Sequence, residues 1–259
     1  MLGNTLKSTI LSVWLIFFAF NSSAIESIAK TALLIDLSTG EILLDKNSNE
    51  RTYPSSMTKI MTALMAFEKI KDGTLSMDQE FLVSKKAWQM GGSKMFIEVD
   101  KKVKVSDLLL GIVVQSGNDA SIAMAEGISG SEDTFAIEMN NLAKKIGLTG
   151  TNFVNSSGWP DDNHYTTAND LAKVAEYTLS NHPELYEMYG ITEFTYSGIK
   201  QDNRNPLLYS FDGADGFKTG HTQAAGYGLV GSAERGDRRL LSTEREKPLC
   251  RSPVMQPSP

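Results

Sequence analysis

The stretch Pro54-Ser55-Ser56-Met57-Thr58-Lys59 is the point around which the chain is organised. If a helix begins at Ser55 or Ser56, residues three apart project from one side, and the Lys59 amine can reach the Ser56 hydroxyl. A serine hydroxyl is a weak nucleophile until a neighbour takes its proton, and a lysine does this only when burial or nearby positive charge lowers its pKa. The same spacing also arises when a serine caps a helix and a lysine points to water, so the pair needs support from the rest of the chain.

The hydrophobic pattern outward from this stretch predicts the fold. Apolar residues recur at helical spacing from Met57 to Phe67 without a breaker before Gly73, which predicts a buried helix. Two apolar runs around Ser38-Thr39-Gly40 predict a β-hairpin. Further helices are predicted at 105–114, 120–127, 133–146 and 167–180, and strands at 194–196, 215–221 and 226–233. Strands at both ends around a helical middle predict an α+β fold, or a three-layer α/β/α architecture, in which both ends share one sheet.

Composition excludes several classes of function. The chain has 259 residues, 41% of them hydrophobic, which is enough for one or two globular domains. Its formal charge of −6 and the lack of a basic run argue against a nucleic-acid partner. Cys250 is the only cysteine, so no intrachain disulfide forms. His164, His182 and His221 lack metal-ligand spacing, and we expect neither a metal nor another cofactor.

Residues 1–24 have the pattern of a secretory leader. Lys7 precedes an apolar run from Ile10 to Phe20, and Ser22-Ser23-Ala24 offers small residues for cleavage. A membrane-spanning helix is the alternative, but this run is shorter than the ~20 residues that a span needs. The sequence therefore predicts export to the periplasm or to the outer face of the cytoplasmic membrane.

Three short motifs stand in order along the chain: Ser56-x-x-Lys59, Ser116-Gly117-Asn118 and Lys218-Thr219-Gly220. With serine, aspartate or glycine, and asparagine in the middle motif, this set is typical of penicillin-binding proteins and class A β-lactamases. Together with Phe153-Val154-Asn155, Gly158 and Thr166 to Asp170, the chain resembles the low-molecular-mass penicillin-binding proteins, specifically the serine D-alanyl-D-alanine carboxypeptidases. The resemblance extends from about Ile28 to Leu241. It implies a β-lactamase/DD-peptidase-like fold, with an antiparallel sheet and a helical subdomain.

The resemblance also implies catalytic roles. Ser56 would attack the carbonyl between the two terminal D-alanines of a peptidoglycan stem pentapeptide, giving an acyl-enzyme that water then hydrolyses. Lys59 would take the serine proton, and Ser116 could relay a proton to the leaving amine. Asn118 would bind the peptide or hold Lys59 in place. Penicillins would acylate the same serine as covalent inhibitors.

The remaining implied roles concern substrate binding. Lys218 and Thr219 would bind the terminal carboxylate of the substrate, a task suited to a cation beside a hydroxyl donor. Gly220 would let its strand approach the substrate closely. The backbone N–H groups of Ser56 and His221 would form an oxyanion hole.

Other chemistries remain open beside this one. His221 could belong to a Ser-His-Asp triad, but Lys59 already fills the role of the base. The run from Glu176 to Asn181 resembles the deacylating motif of class A β-lactamases, but it has one residue too many and falls on a predicted helix. This difference favours a carboxypeptidase, with a DD-endopeptidase or a weak β-lactamase as near alternatives.

The end of the chain departs from the family pattern. Relatives continue from a segment like Arg238 to Ser242 into an apolar strand and a C-terminal helix, whereas Thr243 to Arg251 is charged here. Prolines follow at positions 248, 253, 257 and 259. These features predict a leader at 1–24, an incomplete DD-carboxypeptidase domain at 25–241, and an aberrant, disordered tail at 242–259 without a membrane anchor. A shifted reading frame or a truncated gene is the simplest account of such a tail.

A lost strand between the N-terminal hairpin and the Lys-Thr-Gly strand pair would leave sheet edges unpaired. We therefore expect marginal stability, with no cooperative thermal transition above ~45 °C. The alternative function is a catalytically impaired, truncated homologue that acts at most as a peptidoglycan-binding module.

Overall fold

A computed structural model describes residues 26–246 of the chain, so the predicted leader and everything after Glu246 lie outside the described residues. Five strands form one antiparallel sheet in the spatial order β2-β1-β9-β8-β7. Their bounds are β1 Thr31–Asp36, β2 Glu41–Lys46, β7 Ala214–Thr222, β8 Gly226–Arg235 and β9 Arg238–Arg245. Two small two-stranded sheets lie apart from this sheet: β3 Glu80–Leu82 with β4 Lys102–Lys104, and β5 Glu193–Tyr196 with β6 Ile199–Asp202.

The helices lie mostly between the two halves of the sheet in sequence. They are α1 Lys59–Lys71, α2 Lys85–Gln89, α3 Val105–Val113, α4 Asn118–Ser129, α5 Glu132–Ile146, α6 Ala168–Asn181, α7 Pro183–Tyr186 and α8 Leu207–Ser210. The long central helices α3, α4 and α5 pack on one another and on α1, which gives the predicted helical subdomain. An α+β fold with an antiparallel sheet is therefore confirmed.

Helix α1 is the centre of the hydrophobic core. Every residue from Lys59 to Phe67 is buried, because α1 contacts the central helices on one side and α6 and the sheet on others. A short 3-10 helix, Ser55–Thr58, precedes it and lies against β7 and β8. The first turn of α1 is thereby placed at the seam between the sheet and the helical subdomain.

The prediction that a strand is missing between the hairpin and the Lys-Thr-Gly strand pair is wrong. Strand β9 lies there and pairs with β1 on one edge and β8 on the other, from Arg238 through Arg245. The boundary at 241 is therefore too early by at least four residues. The physical reason is that a strand between two open edges is specified by backbone hydrogen bonds, which any residue other than proline can complete. The predicted C-terminal helix and the disordered tail beyond Glu246 lie outside the described residues.

The side chains of β9 show how a charged sequence is accommodated. Thr243 and Arg245 point to the buried face, where the Thr243 hydroxyl donates to the Ala168 carbonyl at the start of α6. Glu244 and Glu246 alternate with them and are exposed. On the face opposite α6, Leu207 of the short helix α8 lies beside Gly231 of β8.

None of the helices within 26–246 is long and apolar enough to cross a membrane.

Candidate active site

A cleft of about 810 Å³ lies between β7 and the helical subdomain, and the three sequence motifs meet at its walls. Ser56 contributes from the 3-10 helix, Ser116 and Asn118 from the junction of α3 and α4, and Thr219, Gly220 and His221 from β7. Lys59 and Lys218 lie beneath the surface and are each no more than 2% exposed. The structure thus brings together all eight residues that the sequence singled out.

Lys59 is the most tightly held polar side chain of the site. Its Nζ lies 3.1 Å from Ser56 Oγ, 2.7 Å from Asn118 Oδ1 and 2.6 Å from the Ser157 carbonyl oxygen. Asn118 Nδ2 donates to the Gly91 carbonyl at 2.8 Å, which fixes the amide with its oxygen towards Lys59. This arrangement joins the nucleophile motif to the middle motif directly.

The pKa of Lys59 lies well below its usual value. Burial is the main cause, and the nearby positive charges of Lys218 and Arg204 lower this pKa further, while Asp119 acts in the opposite direction. A neutral lysine has two N–H groups and one lone pair. Since Asn118 Oδ1 and the Ser157 carbonyl can only accept, they take both N–H groups and leave the lone pair facing the Ser56 hydroxyl. The local geometry can therefore make Lys59 a proton acceptor for Ser56.

A strained turn presents the middle motif. Ser116 has a φ of +65°, in the left-handed region that few non-glycine residues adopt. The turn is held by hydrogen bonds from Gly117 N to the Gly111 carbonyl at 2.8 Å and from Asn118 N to the Ser93 carbonyl at 2.7 Å. Strain of this kind persists where the surroundings over-determine it, as at functional sites.

Strand β7 approaches the 3-10 helix too closely for most side chains. A Cβ on Gly220 would lie 3.0 Å from the Pro54 carbonyl oxygen and 3.2 Å from Met57 N. Gly158 has a φ of +80°, and a Cβ there would overlap the Ser55 carbonyl. Gly158 therefore requires glycine, whereas a side chain at Gly220 would force its neighbours apart, and both positions bring backbone close to Ser56.

Lys218 lies behind Thr219, whose carbonyl oxygen accepts from the Lys218 Nζ at 3.2 Å. Burial, with a contribution from the charge of Arg204, lowers the pKa of Lys218 to about 7. The His221 side chain is exposed and stacks on Tyr227 with ring centroids 4.2 Å apart. Its imidazole therefore lies on the rim of the cleft.

The other two histidines have structural partners. His164 is buried, contacts Thr58 Oγ1 through Nε2 at 2.9 Å and accepts from Val154 N, and burial lowers its pKa to about 4. His182 Nε2 lies 2.7 Å from Glu68. Within the described residues, no three His, Cys, Asp or Glu side chains are grouped to hold a metal ion.

Sequence reasoning missed three parts of the site. Arg204 lines the cleft from the connection before α8, and nothing in its local sequence sets it apart from a solvated arginine. Trp159 lies on the rim of the cleft and is 47% exposed. Ser157 contributes a backbone carbonyl, which leaves no side-chain signal. Glu176, by contrast, lies on the exposed face of α6, as the sequence predicts.

The chain is similar in structure to several DD-peptidases and penicillin-binding proteins. The chain matches the D-alanyl-D-alanine carboxypeptidase DacD of Francisella tularensis with a TM-score of 0.84 and 34% identity, over 94% of this chain and 69% of that one. It matches penicillin-binding protein D2 of Listeria monocytogenes in its ampicillin-bound form with a TM-score of 0.76 and 32% identity, over 84% and 89%. The five-stranded sheet, the helical subdomain and Ser-x-x-Lys at the head of the buried helix thus define a penicillin-binding protein fold.

Sequence comparison identifies the family within that class. Residues 19–244 match the family described as D-alanyl-D-alanine carboxypeptidase, and the chain belongs to that family. It is 42% identical over 227 residues to DacF of Bacillus subtilis, which covers 83% of this chain and 56% of that protein. It is 38% identical over 256 residues to DacA of Haemophilus influenzae, covering 93% and 65%. The chain therefore spans less than two thirds of the length of these relatives.

Proposed function

We propose that the chain is a serine D-alanyl-D-alanine carboxypeptidase that removes the terminal D-alanine from peptidoglycan stem pentapeptides through an acyl-enzyme on Ser56. The observation that carries this proposal is the buried Lys59 amine, 3.1 Å from Ser56 Oγ, with both of its remaining hydrogen-bonding positions occupied by acceptors. An amine held in this way is a general base for the neighbouring hydroxyl.

In the first step, the Ser56 proton passes to Lys59 Nζ while Ser56 Oγ bonds to the penultimate D-alanine carbonyl carbon. The negative charge that develops on the carbonyl oxygen is stabilised by the backbone N–H groups of Ser56 and His221. The close approach of β7 at Gly220 supports this pairing, since it brings the two backbones together. The C–N bond then breaks, and the proton reaches the leaving amine through Ser116, releasing D-alanine.

In the second step, water attacks the ester carbonyl carbon, gives up a proton towards Lys59, and releases the shortened peptide with Ser56 restored. Lys218 and Thr219 bind the terminal carboxylate of the substrate, and Arg204 adds a second positive charge beside that of Lys218. The effect of Arg204 on the pKa values of both lysines supports its closeness to that position. Asn118 orients Lys59 and lines the peptide side of the cleft.

Penicillins would react with the same serine, as the ampicillin-bound relative from Listeria suggests. We place the protein outside the cytoplasm, at the periplasmic side of the membrane, because its N-terminal residues have the composition of a leader.

The purified chain and a Ser56→Ala variant are incubated with a fluorescent penicillin and separated by denaturing electrophoresis. We expect covalent label on the parent chain alone, and release of one D-alanine from a pentapeptide ending in D-Ala-D-Ala but none from one ending in D-Ala-L-Ala. A folded parent chain that takes no label, or a Ser56→Ala variant labelled equally, would contradict the proposal.

A further inference from the structure

Glu132 is a buried carboxylate that the proposed chemistry does not use. It is the first residue of α5 and is 7% exposed. Its Oε1 accepts from Ser156 N at 3.0 Å and from Ser156 Oγ at 2.7 Å, and its Oε2 lies 2.8 Å from Lys86 Nζ. Burial raises the pKa of Glu132, but the bonds from Lys86 and Ser156 outweigh it and the pKa is lowered overall. Glu132 is therefore ionised at neutral pH.

The partner of Glu132 lies next to the partner of the general base. The Ser156 carbonyl accepts from Thr62 Oγ1 of α1 at 2.6 Å, and the following carbonyl, that of Ser157, accepts from Lys59 Nζ at 2.6 Å. Residues 156 and 157 are thus fixed between the start of α5 and the first turn of α1. Charge-assisted hydrogen bonds such as those to Glu132 are the strongest of these attachments.

The position of the Ser157 carbonyl decides where the lone pair of Lys59 points. Asn118 and Ser157 occupy the two N–H groups of the neutral amine, and the lone pair is left for Ser56. If Ser157 shifts, one N–H group loses its acceptor and the amine can rotate away from the Ser56 hydroxyl. Misplacement of a reacting group by ~1 Å can cost 10²-fold in rate.

We propose that Glu132 is a positioning residue for the general base: its carboxylate fixes Ser156, and through it the Ser157 carbonyl that orients Lys59 towards Ser56. This inference rests on the proposed function. It adds a residue more than 70 positions from the nucleophile motif in sequence, and one that touches neither the cleft nor the reacting atoms.

The test measures the second-order rate of Ser56 acylation by a fluorescent penicillin, as a function of pH, in Glu132→Ala and Glu132→Gln variants. We expect Glu132→Ala to lower the rate by about 10- to 100-fold. The acid limb of its pH profile should also move to lower pH, because loss of the Ser157 acceptor disfavours the protonated form of Lys59. The charges that face Lys59, namely Lys218, Arg204 and Asp119, are unchanged in these variants. Glu132→Gln retains an oxygen acceptor for Ser156 and should recover part of the rate.

Two controls separate positioning from stability. Glu138→Gln alters a carboxylate on the same helix that accepts from Ser129 at 2.9 Å, and should leave both the rate and the acid limb unchanged. Lys86→Met removes the ion pair but keeps the bonds to Ser156. It should lower the melting temperature while the acylation rate of the folded protein changes little.

A Glu132→Ala variant that acylates like the parent at every pH would overturn the proposal. So would a rate loss that merely follows the unfolded fraction without any movement of the acid limb. If the parent chain itself takes no label, the proposed function fails; if the parent is labelled and Glu132→Ala is unchanged, only this inference fails.

Discussion

Two buried basic side chains, Lys59 and Arg245, lie in the same domain, and the hydrogen bonds around them differ. Lys59 is 0% exposed and Arg245 is 2% exposed. Lys59 has three hydrogen-bonding partners, each within 3.1 Å. Arg245 donates through Nη2 to the Tyr53 carbonyl and to Ser55 Oγ, but its Nε and Nη1 have no partner within residues 26–246.

The comparison shows that burial of a basic group has different consequences at Lys59 and at Arg245. Around Lys59, low polarity and neighbouring cations lower the pKa, and the acceptors orient the amine, so burial prepares a base. At Arg245, burial lowers the pKa of the guanidinium to about 10, which leaves it charged at neutral pH, and two of its nitrogens are buried without a partner within residues 26–246. Burial therefore favours a neutral amine at Lys59, as the proposed mechanism requires, and leaves part of a charged group unpaired at Arg245.

The largest expected effect follows removal of the Lys59 amine, which has three hydrogen-bonding partners. Lys59→Ala should lower the rate of penicillin acylation by about 10²- to 10⁴-fold, because the base that accepts the Ser56 proton is gone. Lys71→Ala, on the exposed end of the same helix, is the matched control and should leave the rate unchanged. Stopped-flow measurement of label incorporation checks both variants. An acylation rate in Lys59→Ala within a few-fold of the parent would show that another group is the base.

Lys218 is another buried basic side chain, and it gives a pH-dependent prediction. Its pKa of about 7 means that it loses its proton as the pH rises through neutrality, and only the protonated form attracts the substrate carboxylate. Values of kcat/KM for D-Ala-D-Ala peptides should therefore fall above about pH 7, by roughly tenfold for each pH unit on a single-group limb.

Arg204→Gln sharpens that prediction, because Arg204 contributes to lowering the pKa of Lys218. The basic limb should move to higher pH in this variant, while the value on the plateau falls because a positive charge near the carboxylate is lost. In Lys218→Gln the basic limb should disappear. A basic limb that stays in place in both variants would assign it to a different group.

A smaller effect is expected at Arg245, where two nitrogens lack a partner within residues 26–246. Arg245→Met should raise the free energy of unfolding by about 1–3 kcal/mol, because an apolar side chain removes the two unpartnered nitrogens. For a domain of this size that corresponds to a rise of roughly 2–10 °C in melting temperature. Arg235→Met, at the exposed end of β8, serves as the control and should have little effect. Calorimetry that finds Arg245→Met less stable than the parent would show that the bonds to Tyr53 and Ser55 outweigh the unpaired nitrogens.

The smallest effect is expected at Lys104, which is exposed and lies outside the cleft. Lys104 pairs with Asp78 at 2.9 Å, but both side chains are largely exposed, and water screens such pairs. Lys104→Gln should leave the melting temperature unchanged within error at physiological salt. A clear drop would mean that exposed pairs matter more in this domain than the comparison of Lys59 and Arg245 implies.

Much of the architecture was predictable because local patterns and tertiary packing agree. The hairpin β1–β2, the buried helix after Ser56 and the strand pair β7–β8 all lie where the sequence predicts them. Strand β9 was not predicted, because its last residues are charged and sequence patterns report side chains only. The open edges of β1 and β8 supply hydrogen bonds to any backbone placed between them. The expectation of marginal stability, which rested on a missing strand, stays a prediction and now depends on Arg245.

The sequence by itself determined the family of this protein and which residues are proposed for its chemistry, because Ser56, Lys59, Ser116, Asn118 and the Lys218-Thr219-Gly220 run identify themselves by type and spacing. What only the tertiary structure decided is the environment that would make Lys59 a base. That depends on the Ser157 carbonyl, on Glu132 behind it and on the field of Arg204, which come from three distant segments of the chain. The physical reason is that a pKa and the direction of a lone pair are properties of an environment, and the chain creates that environment only when it folds.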